Sequence, residues 1–282
     1  MHPVYAHPED RSVLYGLFDV IWKDMARKLE DAARFGWPWD TVTTPFVSRA
    51  QGRIVSHVGV MDMPVRLAGR DVRVAGVHAV CTQPAHRRQG HFRAAMEEAL
   101  AFIDARWRTA KLHSDKPWLY EPFGFRVVPQ HRFHIERGGP AGRGRPVTEA
   151  DLPAVHRLLA SREPVSDLFS AMDPGWLFGI DEVLWSGGLS HLVLLEEPSA
   201  LVACEVVEGV LRFYDVVAEK LPPLDAVLAA APAAFRTVEL WMPVDRLAPG
   251  ARPSPYPPGD LLMVRGEWPE LPPFCAGALA SH

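Results

Sequence analysis

The stretch over residues 80–92 constrains the fold of this chain more than any other segment. A strand pattern ends at Pro84, and apolar positions at helical spacing then predict a helix over residues 89–107. Between the strand and the helix lies the basic turn Arg87-Arg88-Gln89-Gly90. Because the N-terminus of a helix offers unpaired N–H groups and a partial positive charge, this turn predicts a site for the phosphate groups of a ligand.

Two common phosphate-binding loops are excluded at this turn. It has neither the Gly-Lys-Ser/Thr sequence of a Walker loop nor the G-x-G-x-x-G fingerprint of a dinucleotide site. Gly90 instead lets the backbone approach an anion closely or adopt an unusual φ angle, and Arg87 and Arg88 can add charge-assisted hydrogen bonds. The turn therefore predicts a phosphate ligand that is held by backbone and arginine groups together.

The elements around the turn predict a mixed α+β fold with a central, mostly antiparallel sheet flanked by helices. In the first half we predict a helix over residues 13–35, a meander of strands over 46–48, 54–65 and 72–82, and further strands over 111–113 and 125–136. Residues 138–145 are rich in Gly and Arg and are typical of a linker. The same order of elements then returns, with a last strand over 261–265, so we predict two domains, residues 1–138 and 139–282.

The turn and a later tyrosine form a two-part motif. Arg87-x-x-Gly90-x-Phe92 follows a strand, and further along Tyr120 precedes a Gly-Phe pair that starts the next strand. Over residues 74–126 this pattern resembles the GCN5-related N-acetyltransferases (GNAT), whose signature is Gln/Arg-x-x-Gly-x-Gly/Ala, with Phe92 in place of the small residue. The run over residues 86–90 is similar to the turn of the enhanced-intracellular-survival (Eis) subgroup.

The resemblance implies an acetyl-CoA-dependent N-acetyltransferase in which a primary amine attacks the thioester directly. Backbone groups of Val80, Cys81 and Thr82 would hold the pantetheine arm like an added strand, and one N–H group could stabilise the oxyanion. Tyr120 is the expected general acid for the leaving thiolate, with a purely structural tyrosine as the alternative. The diphosphate would lie on the turn and the start of the helix, on Arg87, Arg88, Gln89, Gly90, His91 and Phe92.

His78 is the predicted general base, because an imidazole titrates near neutral pH. Residues two apart on a strand share a face, so we expect His78 to point the same way as Val80 and Cys81 to point the opposite way. A buried, hydrogen-bonded histidine is the alternative interpretation of His78. His113 and Asp115, near the end of the neighbouring strand, are further candidates for the base. We expect Cys81 to be a small core residue rather than a nucleophile.

Trp37 and Trp39 flank Pro38 after the first helix, in a region that lines the acceptor pocket in this superfamily. Aromatic walls suit an aromatic or cationic amine, and Asp24 or Asp40 could pair with its ammonium group. Hydrophobic packing of a rigid loop explains the two tryptophans equally well. The acceptor, a small-molecule or peptide amine, is left open among aminoglycosides, polyamines, arylalkylamines and protein lysines.

The second half has no comparable phosphate-binding turn. Residues 214–224 stand where one would be expected, and Pro222 and Pro223 remove N–H donors that a phosphate would need. We therefore predict a degenerate GNAT-like lobe that does not bind CoA. Only a short tail follows Arg265, so we expect the sterol-carrier-like domain of the Eis subgroup to be absent, while assembly into a homo-oligomer is left open. A non-catalytic acyl-CoA sensor or scaffold is the alternative function.

Composition argues against several other classes of protein. The formal net charge of -4, without a basic stripe, disfavours a nucleic-acid partner. No segment has the roughly 18 consecutive apolar residues of a membrane helix, so no membrane partner is expected. The 3 cysteines are widely spaced and form no C-x-x-C pair, which disfavours a zinc site or a disulfide framework. We therefore expect a cytoplasmic enzyme that uses no metal.

Overall fold

The computed structural model describes residues 8–173 and 175–280, which form two seven-stranded sheets flanked by helices. The helices are α1 (Pro8–Ile21), α2 (Met25–Arg34), α3 (Trp39–Val42), α4 (His91–Asp104), α5 (Leu152–Ala160), α6 (Trp176–Ser186) and α7 (Leu224–Val227). The strands are β1 (Thr43–Ala50), β2 (Arg53–Leu67), β3 (Arg70–Thr82), β4 (Thr109–Ser114), β5 (Arg126–Val127), β6 (His131–Ile135), β7 (Arg145–Pro146), β8 (Phe169–Ala171), β9 (Leu192–Leu195), β10 (Ala200–Val207), β11 (Val210–Val217), β12 (Thr237–Leu240), β13 (Arg252–Pro255) and β14 (Leu261–Gly266).

The first sheet has the order β1-β2-β3-β4-β14-β5, with β8 paired to β2, and the second has the order β13-β6-β12-β11-β10-β9-β7. The predicted meander is confirmed, because β1, β2 and β3 pair antiparallel in succession. The mixed α+β prediction is confirmed as well, and the second sheet forms a second lobe. Helices lie against both sheets, so each lobe has the layers that a mixed sheet needs to bury its apolar faces.

The predicted helix over residues 13–35 is wrong in one respect, since the structure has two helices there. Asp24 adopts a left-handed backbone conformation with φ 59°, which ends helical continuity between α1 and α2. The side chain of Asp19 accepts a hydrogen bond from the Ala26 N–H at 2.8 Å and so caps the start of α2. The break lets α2 turn back, and Leu29 and Ala32 become buried.

The predicted strand over residues 125–136 is also divided. Its first part forms β5 in the first sheet, and its second part forms β6 in the second sheet, after Pro129. In return, β14 leaves the C-terminal half and lies between β4 and β5 of the first sheet. The predicted boundary at residue 138 follows the order of the chain, whereas the two sheets exchange strands across it.

One core cluster contains residues of both lobes. Phe18 and Trp39 from the first half share it with Phe178 and Tyr214 from the second half. All four of these side chains are buried, so burial of apolar surface stabilises the contact between the lobes. Within the described part of the chain, none of the helices is long and apolar enough to cross a membrane.

Candidate active site

The site begins where β3 and β4 part. These neighbouring strands run parallel, but they pair only at Ala75 with Ala110 and at Gly76 with Lys111. Beyond these pairs β3 continues to Thr82 and β4 to Ser114, so their carboxyl ends diverge. Ligands of mixed sheets bind at such openings beside the carboxyl ends of strands.

A β-bulge shapes the part of β3 that borders this opening. The register with β2 shifts between His57 and Gly59, and Ala79 takes a φ of 47°. The Nδ1–H group of His57 donates a hydrogen bond to the Ala79 carbonyl at 2.8 Å. His57 has no exposed surface, and burial lowers its pKa to about 4, against the effect of that hydrogen bond. The ring is therefore neutral at pH 7 and holds the bulge through a single tautomer.

The bulge makes the predicted alternation along β3 wrong. His78 packs edge-on against Trp39, with ring centroids 5.4 Å apart, whereas Val80 packs on the core cluster that contains Met96 of α4. Cys81 lies in the cluster that contains Trp39. His78 and Val80 thus face opposite sides, because the extra residue of a bulge reverses the alternation of the strand after it. Burial raises the pKa of the Cys81 thiol to about 12, as expected for an unreactive core cysteine.

The basic turn lies between β3 and α4, as the sequence predicts. Gly90 has a φ of 88° and immediately precedes α4, and a Cβ atom at this position would meet no atom within 4 Å. Arg88 is also left-handed, with φ 61°, and Arg87 donates to the Thr82 carbonyl at 3.2 Å. The first N–H groups of α4 have no acceptor within the helix. The turn therefore presents open space and unpaired donors, which suit the oxygens of a diphosphate.

The other residues of the predicted cofactor segment frame this turn. Gln89 donates through Nε2 to the Ala85 carbonyl at 3.0 Å, and His91 Nδ1 lies 2.8 Å from Ser48 Oγ. Phe92, which departs from the small residue of the motif, packs edge-on against Tyr120 with ring centroids 5.9 Å apart. Phe92, at the start of α4, is thus in direct contact with Tyr120, the predicted general acid.

Tyr120 follows β4 and lies between two short 3₁₀ helices, Pro117–Leu119 and Glu121–Phe123. It forms a side-chain hydrogen bond with Ser114, the last residue of that strand, and only 7% of its surface is exposed. Burial raises the pKa of Tyr120 to about 12, so the phenol stays protonated at neutral pH and can donate a hydrogen bond. The structure brings this phenol to the opening between the strands from the side of α4.

A cavity of about 260 Å³ lies where β3 and β4 part, between these strands and the first two helices. His78 and His113 both reach it, one from each of the diverging strands. His78 Nε2 lies 3.2 Å from Thr43 Oγ1, and the side chain of Gln130 lies 3.4 Å from His113 Nε2. The cavity is lined by Phe18, Trp22, Met25, Leu29, Trp39, Val77, His78, Ala79, His113, Leu184 and Asp260.

The predicted acceptor residues have different positions. Trp39 lines the cavity, but the Trp37 ring is packed in the core so closely that a Cβ atom on Gly179 would lie 1.9 Å from it. Asp24 is exposed at the start of α2, and Asp40 lies 3.7 Å from Arg11. Asp115 is exposed too and pairs with its neighbour in the chain, Lys116. None of these aspartates belongs to the described cavity lining.

Sequence reasoning missed Asp260 and Lys111. Asp260 precedes β14 and reaches the cavity only because that strand returns to the first sheet. Lys111 is fully buried on β4, on the same face as His113, and its charge interacts with Asp181 and Asp260. Burial lowers the pKa of Lys111 to about 8, and the two carboxylates limit this effect. A lysine between apolar strand residues was the available signal for a buried charge.

Comparison with known proteins agrees with this architecture. Residues 10–128 match the acetyltransferase (GNAT) domain family, and the match ends just before β6. No functionally curated protein matches the chain significantly. The first sheet acquires β14 from outside the matched region, so the family match does not include the strand that follows Asp260.

Solved structures that match 92% of this chain include the following three. A conserved protein of unknown function and probable N-acyltransferase from Enterococcus faecalis V583 has a TM-score of 0.60 and 14% identity, with 70% of its chain covered. Eis1 from Mycobacterium abscessus has a TM-score of 0.58 and 15% identity, with 71% covered. A GCN5-related N-acetyltransferase from Kribbella flavida has a TM-score of 0.54 and 16% identity, with 69% covered. This chain therefore has the GNAT fold, and its residues 10–128 carry the match to the acetyltransferase domain.

Proposed function

We propose that this protein is an N-acyltransferase that transfers an acetyl group from acetyl-CoA to a primary amine by direct attack. One observation carries the proposal. The opening between β3 and β4 has a basic, glycine-containing turn and Tyr120 on the side of α4, and a cavity with His78 and His113 on the other. Two reactants could thus meet between the strands from opposite sides. The family match over residues 10–128 supports acyl transfer as the reaction.

The cofactor would bind along β3 and at the turn. In this proposal the backbone of Val80, Cys81 and Thr82 pairs with the pantetheine arm, because the edge of β3 that faces the opening has no strand partner beyond Gly76 among the described residues. The diphosphate would lie at the start of α4, where Gly90 leaves open space. The arginines at 87 and 88 are exposed and would add charge-assisted hydrogen bonds.

The chemical step needs one proton acceptor and one donor. His78 first takes one proton from the ammonium group, directly or through water. The neutral amine then attacks the thioester carbon, the carbon–sulfur bond breaks, and the second proton that the nitrogen loses as the amide forms reaches the leaving thiolate and gives the free thiol of CoA. Tyr120 donates its hydroxyl hydrogen bond to the leaving thiolate. A backbone N–H beside the bulge at Ala79 would stabilise the oxyanion, so the hydrogen bond from His57 would hold this donor in place. The three cysteines are unpaired and buried, and we place the reaction in the reducing cytoplasm.

Calorimetric titration of acetyl-CoA tests the cofactor site. We expect micromolar binding by the wild-type protein and at least tenfold weaker binding by an Arg87→Ala/Arg88→Ala variant. An Arg106→Ala/Arg108→Ala variant is the matched control, because it removes the same charge from exposed positions after α4 and should bind normally. Absence of binding by folded wild-type protein, or equal losses in both variants, would contradict the proposal.

A further inference from the structure

The cavity beside His78 has the chemistry of a site for one particular kind of amine. Three aromatic rings, those of Phe18, Trp22 and Trp39, form much of its wall. Its volume of about 260 Å³ is below the range of roughly 300–1,000 Å³ that is usual for drug-sized ligands. Such a cavity binds a small ligand with an apolar or aromatic body most favourably, because binding removes water from the apolar surfaces of both the cavity and the ligand.

Asp260 is the one carboxylate among the described lining residues of this cavity. Asp260 is exposed, and its charge interacts with the ammonium group of the buried Lys111, as does the charge of Asp181. The ammonium group of a ligand in this cavity could therefore pair with the Asp260 carboxylate, and an ion pair offsets part of the free-energy cost of taking the ammonium out of water.

We propose that the acceptor is a small primary amine with one ammonium group on an aromatic or apolar body, and that Asp260 binds this ammonium group. This inference rests on the proposed acyl transfer. His78 and His113 line the same cavity, on the strands between which the acetyl group would lie. Asp260 thus acts as a specificity-determining residue, and the aromatic walls bind the body of the amine through apolar and cation–π contacts.

Polycationic acceptors fit this cavity poorly. A further ammonium group of a polyamine or an aminoglycoside that entered the apolar part of the cavity would face Leu29, Val77 and Leu184. A buried charge without a partner carries a large desolvation penalty. The single carboxylate and the apolar wall of the cavity therefore favour a ligand with one ammonium group over ligands with two or three.

Steady-state kinetics with a panel of acceptors tests this inference. We expect kcat/KM for 2-phenylethylamine to exceed that for spermidine and for kanamycin by at least tenfold. An Asp260→Asn variant should raise KM for 2-phenylethylamine by about tenfold or more, with a smaller change in kcat and unchanged calorimetric affinity for acetyl-CoA. Asp225→Asn is the matched control, since this exposed aspartate lies on α7 in the second lobe and outside the cavity lining, and its KM should be that of the wild type.

The outcomes separate this inference from the proposed function. A wild-type enzyme that binds acetyl-CoA but prefers spermidine or kanamycin would overturn the inference alone, as would an Asp260→Asn variant with normal KM. A wild-type protein that neither binds acetyl-CoA nor acetylates any amine would overturn the proposed function. Because Asp260 neighbours Lys111, thermal melting of the variant is measured first, and the wild-type substrate preference decides the question if the variant does not fold.

Discussion

Both lobes contain a strand followed by a turn and a helix, but the backbone donors at this junction are open in the first lobe and absent or already bonded in the second. In the first lobe, β3 leads through the Arg87–Gly90 turn to α4, a helix of 14 residues. In the second lobe, β11 leads through Pro222 and Pro223 to α7, which has 4 residues. There the Leu221 N–H already donates to the Glu163 carboxylate at 2.7 Å. The donors that a phosphate would need are thus open in one lobe and removed or used internally in the other.

The space between the parallel strands also differs between the lobes: it is open between β3 and β4 and filled between β11 and β12. In the second lobe, β11 and β12 pair from Val210 with Thr237 to Phe213 with Leu240, and β11 continues beyond them. The C-terminal segment around Ala278 occupies the space beyond these pairs, where the Ala278 N–H donates a hydrogen bond to the Trp241 carbonyl at 3.0 Å. The cavity that remains there measures about 10 Å³, against about 260 Å³ in the first lobe. The comparison teaches that the fold supplies the opening, while the side chains and segments placed in it decide whether a ligand can enter.

The tyrosines of the two lobes give the largest expected contrast. Tyr120→Phe should lower kcat by about a hundredfold or more, because it removes the proposed general acid. Tyr214→Phe is the matched control, since Tyr214 is also buried and its hydroxyl donates a hydrogen bond to Glu205. Each variant should lose about 1 kcal/mol of stability with its hydrogen bond, but kcat should fall only in the first. Equal kcat values for the two variants would remove Tyr120 from the mechanism.

The histidines of the two lobes should respond to acid with opposite signs. His57 has a lowered pKa, so the unfolded chain binds a proton below pH 6.5 before the folded protein does, and acid destabilises the fold. For His191, burial opposes the charged ring, but the hydrogen bond and charge of Glu182 outweigh it and raise the pKa. Its contribution to stability is therefore present below the unfolded pKa of about 6.5 and is lost as the pH rises through the folded value.

Chemical denaturation at pH 7 and pH 4 measures these signs. Relative to His57→Gln, the wild-type protein should lose about 3 kcal/mol of unfolding free energy between pH 7 and pH 4, from the pKa of about 4 in the fold. Relative to His191→Gln, the wild-type protein should gain stability over the same interval. The variants serve as each other's control, because carboxylates elsewhere titrate identically in both. A shared sign would show that one of the two ring environments differs from the structure.

Local sequence patterns were sufficient for the parts of the first lobe that depend on neighbours in the chain. The meander, the basic turn and the position of Tyr120 all follow from periodicity and motif spacing. The face of His78 does not, because the extra residue at Ala79 reverses the alternation and nothing in the local pattern marks it. A bulge depends on tertiary contacts, here the hydrogen bond from His57.

Asp260 shows a second limit of sequence reasoning. Its place in the cavity depends on the pairing of β14 with β4, from Leu261 with Ser114 to Gly266 with Thr109. The alternation of apolar residues predicts the strand, but it contains no information about which distant strand lies beside it. The sequence analysis expected the acidic partner of an amine at Asp24 or Asp40, whereas the carboxylate in the described cavity lining is Asp260, from the other end of the chain.

The glycines beside α4 and α6 give the smallest expected difference between the two lobes. They are also the pair of positions whose backbone geometry is most alike. Gly90 and Gly187 have φ angles of 88° and 78°, and a Cβ atom would meet nothing within 4 Å at either. Alanine should therefore cost each about 1 kcal/mol of stability through backbone strain. Only at Gly90 would the new methyl group lie where the diphosphate is proposed to approach the backbone, so calorimetry should show about tenfold weaker acetyl-CoA binding by Gly90→Ala and normal binding by Gly187→Ala. Equal affinities, at equal losses of stability, would mean that open space beside a left-handed glycine does not by itself distinguish the lobe that binds the cofactor.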